Sequence, residues 1–225
     1  MGLGYLVASN YEKCLRMAQE GNPEAQYNLG CMYEDGNEVP KNLEEAAKWY
    51  RKSAEQGYAN AQYTLGVFYF FGDGVSEDHV EAAKWLRKAA DQGVPQAQYN
   101  IGILYDKGDG VPKDIEESAR WYLKAAEQGH VKSQYNIGEM YESGSGVPKD
   151  ISEAIRWYKL SAEQGHVNAQ YNLGLLYSSG KDVAEDRAEA IKWFRMAAEQ
   201  GDEEAKEKLN ELESSQKKKS FWKRN

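Results

Sequence analysis

The chain has 225 residues, carries 28 Lys and Arg against 36 Asp and Glu for a net charge of −8, and is 41% hydrophobic. That is enough apolar material for a sizeable core, and no run approaches the roughly 20 apolar residues that a membrane helix needs. Residues 214–225, SSQKKKSFWKRN, hold five cations and no acid, so +5 of the charge lies there and −13 on the rest, which argues against nucleic acid on the folded part.

In chain order, residues 6–21 read as half of a helical hairpin, with Val7 and Ala18 in core register and Lys13 where later units carry tryptophan. From Ala25 the block AQYNLG opens a first helix, since Ala25, Leu29, Met32 and Tyr33 fall at i, i+4, i+7 and i+8. Beyond DGNEVPKN, Leu43, Ala46, Ala47, Tyr50 and Ala54 form the stripe of a second helix, with Asn42 as N-cap and Gly57 as its stop. The block returns at Ala61, Ala97, Ser133 and Ala169, every 36 residues, and the same interval separates Trp49, Trp85, Trp121, Trp157 and Trp193. An unbroken period of this size marks a solenoid. The spacing predicts full repeats over about 22–57, 58–93, 94–129, 130–165 and 166–201, with Asp78, Asp114, Asp150 and Asp186 capping the later second helices. Glu38 and Asp182 replace the loop glycines Gly74, Gly110 and Gly146, which weakens the expectation of a left-handed backbone at those two loops. Residues 203–213 read as a lone first helix keeping Ala205, Leu209 and Leu212, a terminal cap, and 214–225 as a basic flexible tail.

The succession of Ala, Leu-Gly, Tyr, a GxGV loop, then Ala, Trp-Tyr, Ala and Gly resembles the Sel-1-like repeat (SLR) family over about residues 6–213. The resemblance implies an all-α fold: a right-handed superhelical solenoid of antiparallel helix pairs, here five 36-residue repeats plus terminal capping helices, with the first helix of each pair lining a concave groove. It also implies a role in assembling complexes, as such proteins commonly do in quality control, signalling or host interaction, and some bacterial members in the envelope or after secretion.

Advancing about 100° per residue from Leu29 places Glu24, Tyr27, Asn28, Cys31, Glu34 and Asp35 opposite the apolar stripe, on the groove side. One groove position reads Tyr27, Tyr63, Tyr99, Tyr135 and Tyr171 along the repeats, and the next Asn28, Thr64, Asn100, Asn136 and Asn172. An asparagine amide can pair with both polar groups of a peptide backbone, and tyrosine offers a flat face with a polar tip. Repetition equally suits packing, with each tyrosine wedged between adjacent first helices and each asparagine bonded to a neighbouring turn.

The positions that vary are more specific. They read Glu34 and Asp35, Phe70 and Phe71, Asp106 and Lys107, Glu142 and Ser143, then Ser178 and Ser179, so the second repeat alone is apolar there. With Tyr63, Val67 and Ile103 nearby, Phe70 and Phe71 form an apolar patch inside a rim of Glu34, Asp35, Asp106, Glu139 and Glu142, the surface expected of a partner site. The alternative is that one phenylalanine folds over the helix end and packs on the loop.

No cofactor, metal or small-molecule site emerges. The GDGV loops at Gly72 and Gly108 lack the Lys-Ser/Thr ending of a phosphate loop and the further acids of a calcium loop. His79, His130 and His166 have no thiol or carboxylate cluster around them in the pattern and read as exposed turn residues, Cys14 and Cys31 as ordinary thiols, and the tryptophan row as packing. No nucleophile with a base can be singled out. The expectation is a soluble, monomeric, non-enzymatic adaptor or scaffold that binds a peptide or protein segment in its groove, cytoplasmic by default and periplasmic or secreted if a leader was removed. The competing class is an immunity- or inhibitor-type protein that blocks one folded enzyme with its loops and groove rim. In the tail, Lys217, Lys218, Lys219, Phe221, Trp222, Lys223 and Arg224 suit contact with an anionic surface, nucleic acid or an acidic groove.

Overall fold

An aspartate or asparagine side chain placed before a helix satisfies amides of the first turn that have no partner inside the helix. Asn42, Asp78, Asp114, Asp150 and Asp186 each accept from backbone amides two or three residues on, at 2.9–3.1 Å. A computed structural model describes residues 10–222, with side chains through residue 214. Its described elements are helices: α1 (Asn10–Gln19), α2 (Pro23–Asp35), α3 (Leu43–Glu55), α4 (Ala59–Phe71), α5 (His79–Asp91), α6 (Pro95–Lys107), α7 (Ile115–Glu127), α8 (Val131–Ser143), α9 (Ile151–Glu163), α10 (Val167–Ser179), α11 (Arg187–Glu199) and α12 (Glu203–Trp222). The all-α solenoid of paired helices is thus present, and the chain divides into two units at Trp121, inside α7.

In the first unit, Ala18, Ala25 and Leu29 are buried where α1 meets α2, and α3, α4 and α5 enclose Tyr50, Leu65, Phe68 and Trp85. Leu86, Ile101, Leu104 and Trp121 continue the core. Burying side chains of this size stabilises by about 1.5–3 kcal/mol each. Gly74 and Gly110 hold left-handed conformations, with φ of 62° and 67°. A Cβ on Gly74 would lie 2.1 Å from the Leu43 carbonyl oxygen, and one on Gly110 would lie 2.0 Å from that of His79. Each loop therefore rests directly on the first turn of the preceding repeat's second helix. Glu38, at the same place in the first repeat, keeps this backbone with φ 61° and accepts from the Tyr11 amide at 2.9 Å. Cys14 and Cys31 are free thiols.

In the second unit, Trp157, Tyr158, Leu173, Leu176, Trp193 and Phe194 are buried between α9, α10 and α11, and Ala205 seats α12 on α11. Asp182 is not among the residues with positive φ, so this loop departs from the pattern that Glu38 retains. The last helix runs to Trp222, past the expected end at 213, so the segment read as a flexible tail is helical backbone as far as that residue. Val7, expected in the core, lies outside the described residues.

One buried row went unread in the sequence. Gln26, Gln62 and Gln98 in the first unit, and Gln134 and Gln170 in the second, are all buried. Each side-chain amide donates to a carbonyl of the preceding helix, namely Ala18, Ala54, Ala90, Ala126 and Ala162, at 2.9–3.2 Å. The oxygens of Gln26, Gln62, Gln134 and Gln170 accept from Gln56, Gln92, Gln164 and Gln200 at 2.7–2.8 Å. One side chain thereby ties three helices together.

Candidate functional site

Two columns of the repeat meet near the C-terminal end of the first helix in the first and fourth repeats. In the first repeat the buried Tyr50 donates its hydroxyl to Glu34, and in the fourth Tyr158 donates to Glu142 at 2.6 Å. Burial, then hydrogen bonding, drives both phenols well above their ordinary range. In the second repeat the corresponding pair is Leu86 and Phe70. Leu86 lies against Gly66 as the rings of Tyr50 and Tyr158 lie against Gly30 and Gly138. No ring or carboxylate fills the space beyond it, and a pocket of about 240 Å³ opens there. Val67, Phe70 and Phe71 line it from α4, Leu86 from α5, and Asn100, Ile103, Leu104 and Lys107 from α6.

The two phenylalanines differ in their settings. Phe70 is half-buried and stacks on His79, with ring centroids 4.6 Å apart, while Phe71 meets it edge-on at 5.0 Å and stays 65% exposed. His79 is braced by Asp109 at 2.5 Å and Glu77 at 3.1 Å. Phe70 thus packs over the start of α5, where the alternative reading had one ring fold over the helix end onto the loop, and it also lines the pocket.

The tyrosine row packs between repeats. Tyr27 sits 5.5 Å from Tyr50 and 5.4 Å from Tyr58, ring to ring, and Tyr63 packs on the core around Leu86 and Ile101. Tyr99 is half-buried. Tyr135 stacks on His166 at 4.6 Å and donates to Glu139 at 2.7 Å, and Tyr171 lies 5.8 Å from Phe194. The polar row is mixed: Asn28 is exposed, Asn136 half-buried, Asn172 donates to the Tyr158 hydroxyl at 3.3 Å, and Asn100 lines the pocket. The expected acidic rim is largely spent internally, because Glu34, Glu139 and Glu142 accept from tyrosine hydroxyls, leaving Asp35 and Asp106 exposed without such bonds. The side chains of Lys217, Lys218, Lys219, Phe221, Trp222, Lys223 and Arg224 lie outside the described residues.

The Sel1 repeat profile matches residues 23–58, 59–94, 95–130, 131–166 and 167–202, one residue later than the spacing suggested. The chain belongs to the Sel1 repeat family. The structure of c5321, a protective antigen of uropathogenic Escherichia coli with an SLR fold, is 41% identical with a TM-score of 0.86, over 91% of this chain and 44% of that one. A Sel1 repeat protein of Oxalobacter formigenes is 35% identical with a TM-score of 0.75, over 90% of this chain and 87% of its own. The chitin synthase regulator SKT5 of Saccharomyces cerevisiae is 46% identical over 44 residues, 20% of this chain and 6% of that protein. This chain therefore spans less than half of c5321 and a small part of the yeast regulator.

Within the Sel1 repeats, the signal for the pocket that sequence reasoning missed was Leu86, which interrupts an aromatic column of Tyr50, Tyr122, Tyr158 and Phe194 at 36-residue spacing. His130 and His166 also differ from expectation. They are half-buried N-caps of α8 and α10, and their Nδ1 atoms accept from the Ser133 and Ala169 amides at 3.3 Å. Burial, then the charge of Lys132, lowers the pKa of both, and acting as acceptors requires the neutral ring. The hydrogen bond to Asp109 raises that of His79. The expected result in an imidazole titration followed by NMR is one histidine titrating above about 6.5 and two below it. The two caps stabilise fully above that pH and lose their contribution as pH falls through their depressed values. His79 contributes below it and loses its share as pH rises. Three coincident midpoints near the free value would sink this assignment.

Proposed function

We propose that this chain is a non-enzymatic adaptor or scaffold that anchors a peptide or protein segment in the pocket of its second repeat. Sel1 repeat proteins generally mediate protein–protein interaction, and none of the described helices is long and apolar enough to cross a membrane. The carrying observation is the opening left by Leu86 beside the exposed Phe71. Packing does not demand it, since other repeats fill the place with an aromatic ring. At about 240 Å³ the pocket falls below the roughly 300–1,000 Å³ of small-molecule sites and suits one large apolar side chain. The tyrosine and glutamine rows then serve as frame, and the pocket as the specific element.

The test refills the pocket. Leu86→Phe places there a ring the scaffold already accepts at Phe194, so the fold is expected to persist. Peptides selected from a random phage-displayed library on the wild type should bind Leu86→Phe and Phe71→Glu roughly ten- to a hundredfold more weakly, by fluorescence anisotropy, as loss of one buried apolar anchor requires. Affinity unchanged in both variants would move the contact elsewhere and favour the blocking role through loops and rim.

A further inference from the structure

The pocket is lined mainly by apolar side chains, yet Asn100 and the cation Lys107 also belong to its wall. Lys107, the last residue of α6, lines the pocket and is exposed, and among the described residues neither it nor the adjacent Asp106 forms an ion pair. At the same place other repeats carry Asp35, Ser143 and Ser179, so no packing rule of the repeat calls for a lysine there. One position earlier, the first repeat carries Glu34, which is bound to Tyr50, the second carries Phe70, and the third carries Asp106, which is exposed beside Lys107. In a chain whose body is strongly acidic, the pocket mouth thus presents a cation that has no ion-pair partner among the described residues, beside apolar surface.

The polar groups are also spaced for a chain. Asn100, Ile103 and Lys107 lie at i, i+3 and i+7 on α6, one face of two helical turns, which sets Asn100 and Lys107 about 10 Å apart along the axis. An extended peptide covers that distance in about three residues. Asn100 can pair with the peptide's own N–H and C=O groups, Ile103 and Leu86 receive a side chain, and Lys107 stands where a flanking residue would fall.

We propose that the pocket selects an extended peptide segment in which a bulky apolar residue is followed or preceded, within about three residues, by an acidic side chain that pairs with Lys107. The proposal rests on the pocket being the anchor and names the chemistry of what it takes. The acidic body works against such a ligand at long range, so the preference is local and short-ranged, within a Debye length of about 10 Å at 0.1 M salt.

The probes are acetylated, amidated twelve-residue Gly/Ser peptides with a central Leu-Phe and an Asp, Asn or Lys placed one to three residues from it. Blocking both ends leaves the side-chain carboxylate as the only anion. Binding to the full chain is read from ¹H–¹⁵N shifts of the Asn100 side-chain amide and of Ile103. Asp peptides should bind roughly two- to fivefold more tightly than Asn peptides at 50 mM salt, and Lys peptides more weakly, as an exposed ion pair allows. Lys107→Glu should reverse that order. Lys107→Ser, which copies the residue of the fourth and fifth repeats, should abolish it without reversal. Equal affinities across the charge series, or tighter binding of the Lys peptides, overturn the inference while leaving the pocket as an apolar anchor. Absence of any shift at Asn100 and Ile103 with all peptides overturns both.

Discussion

Gly74→Ala should destabilise the protein by about 2–5 kcal/mol, whereas Gly57→Ala should cost about 1–2 kcal/mol. Both glycines hold positive φ, 62° and 89°, so both substitutions carry the penalty of placing a Cβ in left-handed backbone. They differ in what the new methyl meets. No heavy atom lies within 4 Å of the position at Gly57. At Gly74 the Leu43 carbonyl oxygen and carbon would lie 2.1 and 2.3 Å away and the Glu44 amide nitrogen 2.8 Å away. These are backbone atoms at the start of α3, whose amides are already held by Asn42, so they cannot turn aside as the end of a side chain would. Relief requires the loop or the helix to move. Urea unfolding followed by far-UV circular dichroism measures the difference, with Gly57→Ala as the control for strain alone. Midpoints that coincide would show that the loop backs away freely and does not bear on α3.

That loop also shows what the sequence could disclose. The glycine positions were visible from the period, but the contact of a loop with the preceding repeat was not, because it joins residues 31 apart with no shared local pattern. The two exceptions diverged: Glu38 keeps the left-handed backbone and Asp182 does not, and both looked alike as substitutions. Caps were legible because an N-cap bond is made within three residues, so Asp78 or Asp150 announces itself locally. The acidic rim was misjudged for the opposite reason. Glu34 and Glu142 are neutralised as surface features by tyrosines 16 residues on, on another helix. The C-terminal helix was cut short at 213 because the apolar stripe stops at Leu212, whereas helical backbone continues through the polar run 213–220 that follows.

The candidate site had a readable half and an unreadable half. Phe70 and Phe71 stood out as an apolar interruption in a polar column, while Leu86 drew no reading at all. Its meaning lies in being smaller than its equivalents, and only the register of both columns together discloses that two departures in one repeat face the same space. The tyrosines illustrate the converse. Repetition made them conspicuous, and their rings pack on clusters that reach the next repeat, as Tyr135 does on the cluster holding Ala169 and Leu173. In a solenoid, what recurs serves the neighbour-to-neighbour interface, and what breaks the recurrence is free to serve a partner.

Gln170→Leu should destabilise by about 1–2 kcal/mol, although it exchanges a polar side chain for an apolar one of similar size in a buried place, because two side-chain hydrogen bonds are lost. Gln170 is 1% exposed; its amide donates to the Ala162 carbonyl at 2.9 Å and its oxygen accepts from Gln200 at 2.8 Å. Ala162 lies in the last turn of α9, and its carbonyl also accepts from the Gly165 amide at 3.0 Å, so leucine would remove the side-chain bond to that oxygen together with the bond to Gln200 but would not leave the oxygen unpaired. Gln200 is exposed and can turn to water, so its loss is small. Gln200→Ala should therefore cost less than about 1 kcal/mol, and the double variant should cost little more than Gln170→Leu alone, because the two share one bond. Urea midpoints of the four proteins close this cycle. Equal costs for the two single changes would mean that the bond from Gln170 to the Ala162 carbonyl adds nothing to the one from Gly165, and that the glutamine row fills space without coupling α9, α10 and α11. The predicted inequality makes it the polar counterpart of the aromatic interface, a tie that transmits stability from each repeat to the next.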